Sequence, residues 1–143
     1  MVIIINAIKH YLVIKSPAEK VYNALTKLEG LASWWTEDTS GNTEVDSIIE
    51  FNFGEDDHNK MKITRLEKNR MVEWECIVGD EEWIGTKFLF TLEPNEDRTI
   101  IRFSHFDWKS ETDFFASCNY HWGYYLRSLK LYCETGKGTP FNL

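Results

Sequence analysis

The sequence predicts an α+β domain in which an antiparallel sheet packs against one long helix. Between residues 47 and 106, short runs with alternating apolar side chains are separated by polar turns, which is typical of an antiparallel meander with one buried face. Residues 111–135 carry apolar side chains at helical spacing, and a helix of that length would cross a whole sheet. Helices gathered on one face of an antiparallel sheet define the α+β class.

Length and composition narrow the classes of function. A chain of 143 residues is expected to form one domain over residues 1–143. The aromatic share of 15% exceeds what a minimal core needs, so some rings are expected to line a space for a ligand. The net charge of -7 disfavours nucleic acid and anionic membranes as partners. No secretory leader or membrane-length apolar run is apparent, and the widely spaced cysteines suit a reducing compartment, so we expect a cytoplasmic protein.

The first elements are a strand and two short helices. Residues 8–15 alternate enough for the strand. Ser16 is expected to cap the first helix, with Pro17 at its first position and Glu19 completing a capping box. A second short helix near LEGLASWW should end at the Trp34–Trp35 pair.

The long helix is amphipathic. Ser110 with Asp113 predicts a second capping box at its start, and Gly136 predicts its end. At about 100° per residue, a narrow apolar stripe contains Phe115, Cys118, Trp122, Leu126, Leu129 and Cys133, with Asn119 beside it and Tyr120 and Tyr124 on the opposite side.

Three motifs resemble a known superfamily. They are SPAEKVYNALTKLEGLASWW, IIEFNFG and YHWGYYLRSLKLYCETGKGTP. The chain resembles the START-like or SRPBCC domains, which have the helix-grip fold of the birch-pollen allergen. Within that superfamily it is most similar to the family named after the activator of the heat-shock protein 90 ATPase homologue. The resemblance implies a curved antiparallel sheet of six or seven strands around the C-terminal helix. It also implies an elongated apolar cavity, partly closed by the two short helices.

The alternation of the strands and the helical stripe indicate which residues would face such a cavity. We expect it to bind a small, largely apolar molecule without a cofactor or metal, with His105 and Asn119 fixing the ligand's orientation. The expected cavity residues are Phe51, Phe53, Met61, Trp74, Cys76, Phe88, Phe90, Phe103 and His105 from the sheet, Phe115, Asn119, Trp122 and Leu126 from the helix, and Trp34 and Trp35 at the lid.

Other functions stay open. The family name suggests a co-chaperone-like module that acts on a chaperone ATPase. Relatives in the wider superfamily include cyclases and hydrolases, and for an enzyme of that type His105 is the one plausible base. A third alternative is a partner protein in stress response or regulation that binds no ligand. The chain is expected to be a monomer or a homodimer.

Overall fold

The computed structural model describes residues 5–143. Within them, strands and helices follow the order that the sequence predicts, with one additional short strand. The elements are β1 (Asn6–Ile14), α1 (Ala18–Thr26), α2 (Leu28–Trp34), β2 (Asp38–Gly41), β3 (Ile48–Asn52), β4 (His58–Glu67), β5 (Met71–Val78), β6 (Lys87–Asn95), β7 (Arg98–Trp108) and α3 (Asp113–Thr135).

The strands form one antiparallel sheet in the order β1-β7-β6-β5-β4-β3-β2. This curved seven-stranded sheet with a long C-terminal helix confirms the predicted α+β helix-grip fold. The short strand β2 was not expected from the sequence pattern. Its residues DTSG have no apolar alternation and are mostly exposed, so nothing in them signals a strand.

The inner face of the sheet forms the core, as the alternation predicts. In the β6–β7 ladder, for example, Phe88 lies opposite His105 and Phe90 opposite Phe103, and all four are buried. Val78, which the alternation of β5 places on the same face as Trp74 and Cys76, is 36% exposed.

The predicted start of the first helix is wrong by one position. Pro17, with extended backbone angles, is the residue that flanks the helix, and α1 begins at Ala18 without a side-chain cap. Ser16 is therefore one residue too early to cap, and its buried Oγ has no hydrogen-bond partner among residues 5–143. The second short helix ends at Trp34, as the sequence predicts.

The predicted cap of the long helix is also corrected. The side chain of Thr112, and not that of Ser110, accepts a hydrogen bond from the Phe115 amide at 3.2 Å, and α3 begins at Asp113. At the other end, Gly136 adopts φ 86°, the left-handed conformation that closes helices, so the predicted stop is confirmed. Among residues 5–143, no helix is both long and apolar enough to cross a membrane.

The two candidate caps give a direct test. Thr112→Ala should lower the free energy of unfolding by about 1 kcal/mol, because it leaves a helical amide without its partner. Thr112→Ser retains the hydroxyl and should recover most of that loss, whereas Ser110→Ala should change stability by less than about 0.5 kcal/mol. Urea denaturation of the three variants measures these differences. A larger loss for Ser110→Ala than for Thr112→Ala would contradict the observed cap.

After α3 the chain returns across the end of the sheet. The Thr139 amide donates to Ser128 Oγ at 2.7 Å, and the Phe141 amide donates to the Trp35 carbonyl at 2.9 Å. Residue 138 must be glycine for this course, because a Cβ there would lie 2.5 Å from the Ser33 carbonyl oxygen. The returning segment thereby places the Phe141 ring beside the first half of α3.

Candidate ligand pocket

A pocket of about 300 Å³ opens at one end of the sheet, beside the first half of α3. Five parts of the chain enclose it: Trp35 after α2, the β3–β4 loop with the start of β4, the turn after β5, α3, and the segment that returns after α3. The lining residues are Trp35, Phe53, Asp57, Asn59, Asp80, Trp83, Phe114, Ser117, Cys118, His121, Trp122, Tyr125 and Phe141.

Aromatic rings form most of the wall. Trp35 and Trp122 are buried and stack with ring centroids 5.3 Å apart, which gives the pocket a rigid apolar base. The half-buried Phe53 ring packs on Trp35 at 5.3 Å, Tyr125 at 6.1 Å and Phe141 at 5.6 Å. Such a surface offers an apolar ligand dispersion contacts and removal from water.

Two acidic side chains also line the pocket. Asp57 precedes β4 and Asp80 follows β5, and both line the space. Partial burial raises the pKa of Asp57, the charge of Asp80 raises it further, and His58 acts in the other direction. The two carboxylates therefore share one electrostatic environment.

The Cys118 thiol belongs to the apolar part of the lining. It accepts a hydrogen bond from Trp83 Nε1 at 3.4 Å. Burial raises the pKa of this thiol to about 11, so it stays protonated near neutral pH. A protonated, buried thiol packs as a small apolar group and is a poor nucleophile.

The structure divides the residues predicted for a cavity. Trp35, Phe53 and Trp122 line the pocket. Phe115 is half-buried and packs on Trp108 with ring centroids 5.0 Å apart, outside the pocket. The remaining apolar positions pack against one another in the closed core: Trp34, Phe51, Met61, Trp74, Cys76, Phe88, Phe90, Phe103 and Leu126.

His105 lies in the closed core, and both of its ring nitrogens are hydrogen-bonded. Trp122 Nε1 donates to His105 Nδ1 at 3.2 Å, so Nε2 carries the proton in the neutral ring and donates to Thr86 Oγ1 at 2.8 Å. Burial lowers the pKa of His105 to about 2. Its stable form is the neutral ring, and neither nitrogen is free to take a proton from a ligand.

Asn119 lies on the exposed side of α3, away from the pocket. Its Oδ1 accepts a hydrogen bond from His10 Nε2 at 2.8 Å, which joins α3 to β1. Asn119 therefore does not meet the pocket residues. Among residues 5–143, no three His, Cys, Asp or Glu side chains are arranged to hold a metal ion.

Comparison with known proteins identifies the family. Residues 15–134 match the family described as "Activator of Hsp90 ATPase homolog 1-like protein". The chain belongs to this family. A search of curated proteins gives no match.

Solved structures share the fold over nearly the whole chain. The solution structure of the Aha1 dimer from Colwellia psychrerythraea is 43% identical, with a TM-score of 0.85 over 93% of this chain and 99% of that one. A Staphylococcus saprophyticus protein is 20% identical, with a TM-score of 0.77 over 96% of this chain and 100% of that one. CalU16 from Micromonospora echinospora is 17% identical, with a TM-score of 0.76 over 93% of this chain and 76% of that one. At these lower identities the likeness shows the fold alone.

Most residues that line the pocket of this Aha1-like family member were not predicted from the sequence. On α3, Phe114, Ser117, His121 and Tyr125 recur every three or four residues, so they form a second stripe beside the apolar one, to which Cys118 belongs. That spacing was the available signal. The lining residues outside α3 that the sequence did not indicate are Asp57, Asn59, Asp80, Trp83 and Phe141, which come from loops, strand ends and the returning segment.

Proposed function

We propose that this protein binds a small, largely apolar molecule in the pocket between the sheet and α3. The observation that carries the proposal is an aromatic-walled space of about 300 Å³ with an opening to solvent. Small-molecule sites are typically concave, mainly apolar and a few hundred Å³ in volume. Full burial of one apolar group contributes roughly 1.5–3 kcal/mol, so a ligand with one or two rings needs few polar contacts.

The pocket can be tested with the neutral fluorescent dye N-phenyl-1-naphthylamine. We expect the dye to bind with a rise in its emission and quenching of tryptophan emission, because Trp35, Trp83 and Trp122 line the space. Native mass spectrometry of the freshly purified protein would show in addition whether a cellular molecule stays bound.

A matched pair of variants on α3 locates the binding. Ser117→Phe places a ring in the pocket and should weaken dye binding by about tenfold or more. Ala116→Phe adds the same ring at the neighbouring exposed position, which is not part of the lining, and should leave binding unchanged. Equal dye binding by both variants and the wild type would contradict the proposed pocket.

A second candidate is partner binding through the outer side of α3. Tyr120 is 80% exposed and Tyr124 51% exposed, and they lie one turn apart. Two neighbouring exposed rings favour a contact surface. The 43% identical Colwellia protein was solved as a dimer, which favours a second copy of the chain as the occupant. The family description makes a chaperone ATPase the other candidate occupant.

Sedimentation velocity over a range of concentrations tests this second candidate. The wild type should form a dimer, and Tyr120→Lys with Tyr124→Lys should give monomers with unchanged dye binding. Partner binding through this surface would be contradicted if the wild type stayed monomeric and also failed to retain the cell's chaperone in a pull-down.

A further inference from the structure

The returning segment, residues 137–143, forms part of the pocket wall but has little support of its own. It contains neither a helix nor a strand, apart from a single bridge at Phe141. None of its seven residues is buried. Segments with few buried contacts open at a lower free-energy cost than the elements of a core. The returning segment is therefore the kind of wall whose docking a ligand can influence.

Backbone hydrogen bonds join the returning segment to the rest of the protein. The Thr139 amide donates to Ser128 Oγ at 2.7 Å, and the Phe141 amide donates to the Trp35 carbonyl at 2.9 Å. The Glu37 amide in turn donates to the Phe141 carbonyl at 3.0 Å, which completes a short parallel bridge. Both polar groups of the Phe141 backbone are thus paired, so the place of the Phe141 ring depends on docking of the segment.

The Phe141 ring connects this docking to the pocket. It lines the space and packs on Phe53 with ring centroids 5.6 Å apart. Trp35 and Trp122, which also line the space, are buried among core residues, so their rings stay in place whether or not the returning segment is docked. A ligand in the pocket therefore meets the Phe141 ring only when the segment is docked.

Contacts that exist in only one of two states shift the equilibrium toward that state. A ligand that touches the Phe141 ring must therefore stabilise the docked segment, and docking must raise the affinity by the same factor, because such coupling is reciprocal. We propose that the returning segment is a strap that closes over the ligand, so that ligand binding and docking of the segment strengthen each other. This inference rests on the proposed ligand-binding function and specifies how the same pocket is regulated.

Amide hydrogen exchange, followed by NMR with and without N-phenyl-1-naphthylamine, tests the coupling in the wild type. The amides of Glu37, Thr139 and Phe141 report docking, because their hydrogen bonds join the segment to the rest of the protein. At a dye concentration ten times the Kd, their exchange should slow by about tenfold, the limit for a ligand that binds the docked state alone. The Arg70 amide, which donates to the Glu67 carbonyl in the turn after β4, is the reference and should slow clearly less.

A matched pair of variants disturbs docking without changing the lining. A Cβ at residue 138 would lie 2.5 Å from the Ser33 carbonyl oxygen and 2.9 Å from Ser128 Oγ, and Gly138 does not line the pocket. Gly138→Val must therefore displace the segment, and it should weaken dye binding by about fivefold or more. Lys137→Val adds the same side chain at the neighbouring exposed position and should leave binding unchanged. Thermal melts establish that both variants are folded.

The outcomes separate this inference from the proposed function. If the dye binds the wild type but the three reporter amides slow no more than the Arg70 amide, the coupling is overturned and the pocket remains. Dye binding by Gly138→Val that equals binding by the wild type would also overturn it. If the dye does not bind the wild type at all, the proposed function itself fails.

Discussion

Trp35→Ala is expected to lower the free energy of unfolding by about 3–5 kcal/mol, the range for removing a large buried ring. Trp35 is 2% exposed and lies at the centre of the aromatic packing. Its ring contacts Trp34 at 6.0 Å, Trp74 at 5.9 Å and Trp122 at 5.3 Å between centroids. All three contacts are lost together, and the cavity left behind adds to the cost.

Urea or thermal denaturation measures this loss of stability. Two further variants serve as controls. Trp35→Phe keeps an aromatic ring and should cost clearly less than Trp35→Ala. Tyr120→Ala removes a ring that is 80% exposed and should change stability by less than about 0.5 kcal/mol. A similar loss from Trp35→Ala and Tyr120→Ala would mean that the aromatic cluster does not stabilise the fold as its packing indicates.

The buried His105 is expected to make stability depend on pH in mildly acidic solution. Its pKa is about 2 in the folded protein, against 6.5 for the free side chain. Below about pH 6.5, the unfolded chain therefore binds a proton that the folded protein does not. Its contribution to stability is present above that pH and falls as the pH is lowered, by up to about 1.4 kcal/mol per pH unit.

The stability curves of the wild type and His105→Gln, measured between pH 7 and pH 4, isolate this contribution. The variant should be less stable at pH 7, because the bonds to Trp122 and Thr86 are altered. Its stability should nevertheless fall less steeply with decreasing pH. If the variant does not fold, an NMR titration of the wild type decides: protonation of His105 above pH 4 would contradict the buried, hydrogen-bonded state.

The sequence contains enough information to predict the fold because its periodicities are strong. Alternation in β6 and β7 places Phe90 and Phe103 on the inner face, and helical spacing places Trp122 and Leu129 in the core. Helix caps were less predictable, because the observed first residues lie close to the predicted ones. Pro17 flanks α1 in place of the predicted Ser16, and Thr112 caps α3 in place of the predicted Ser110. Pro17 displaces the start of α1 by one residue, and Ser110 and Thr112 near the start of α3 are both residue types that cap helices.

The position of the pocket could not be predicted from the same patterns. Periodicity indicates which side chains point inward, but it does not indicate where inward-pointing rings leave a space. Phe88 and Phe103 pack against Trp122 and close the middle of the region between sheet and helix, while the space remains at one end. The prediction for Asn119 failed for a similar reason. Asn119 lies only slightly to one side of the apolar stripe of α3, yet this small offset directs its side chain to His10, outside the pocket.

The separation of the closed core from the pocket has an evolutionary consequence. Asp57, Asp80, Ser117 and His121 are exposed, and none belongs to the buried core. Exchanges at such positions usually change stability little, whereas exchanges within the aromatic core are costly. During evolution, substitutions at these four pocket residues could therefore change the ligand, while the residues of the aromatic core stay the same. A scaffold of this kind can diversify without repeatedly passing through unstable intermediates.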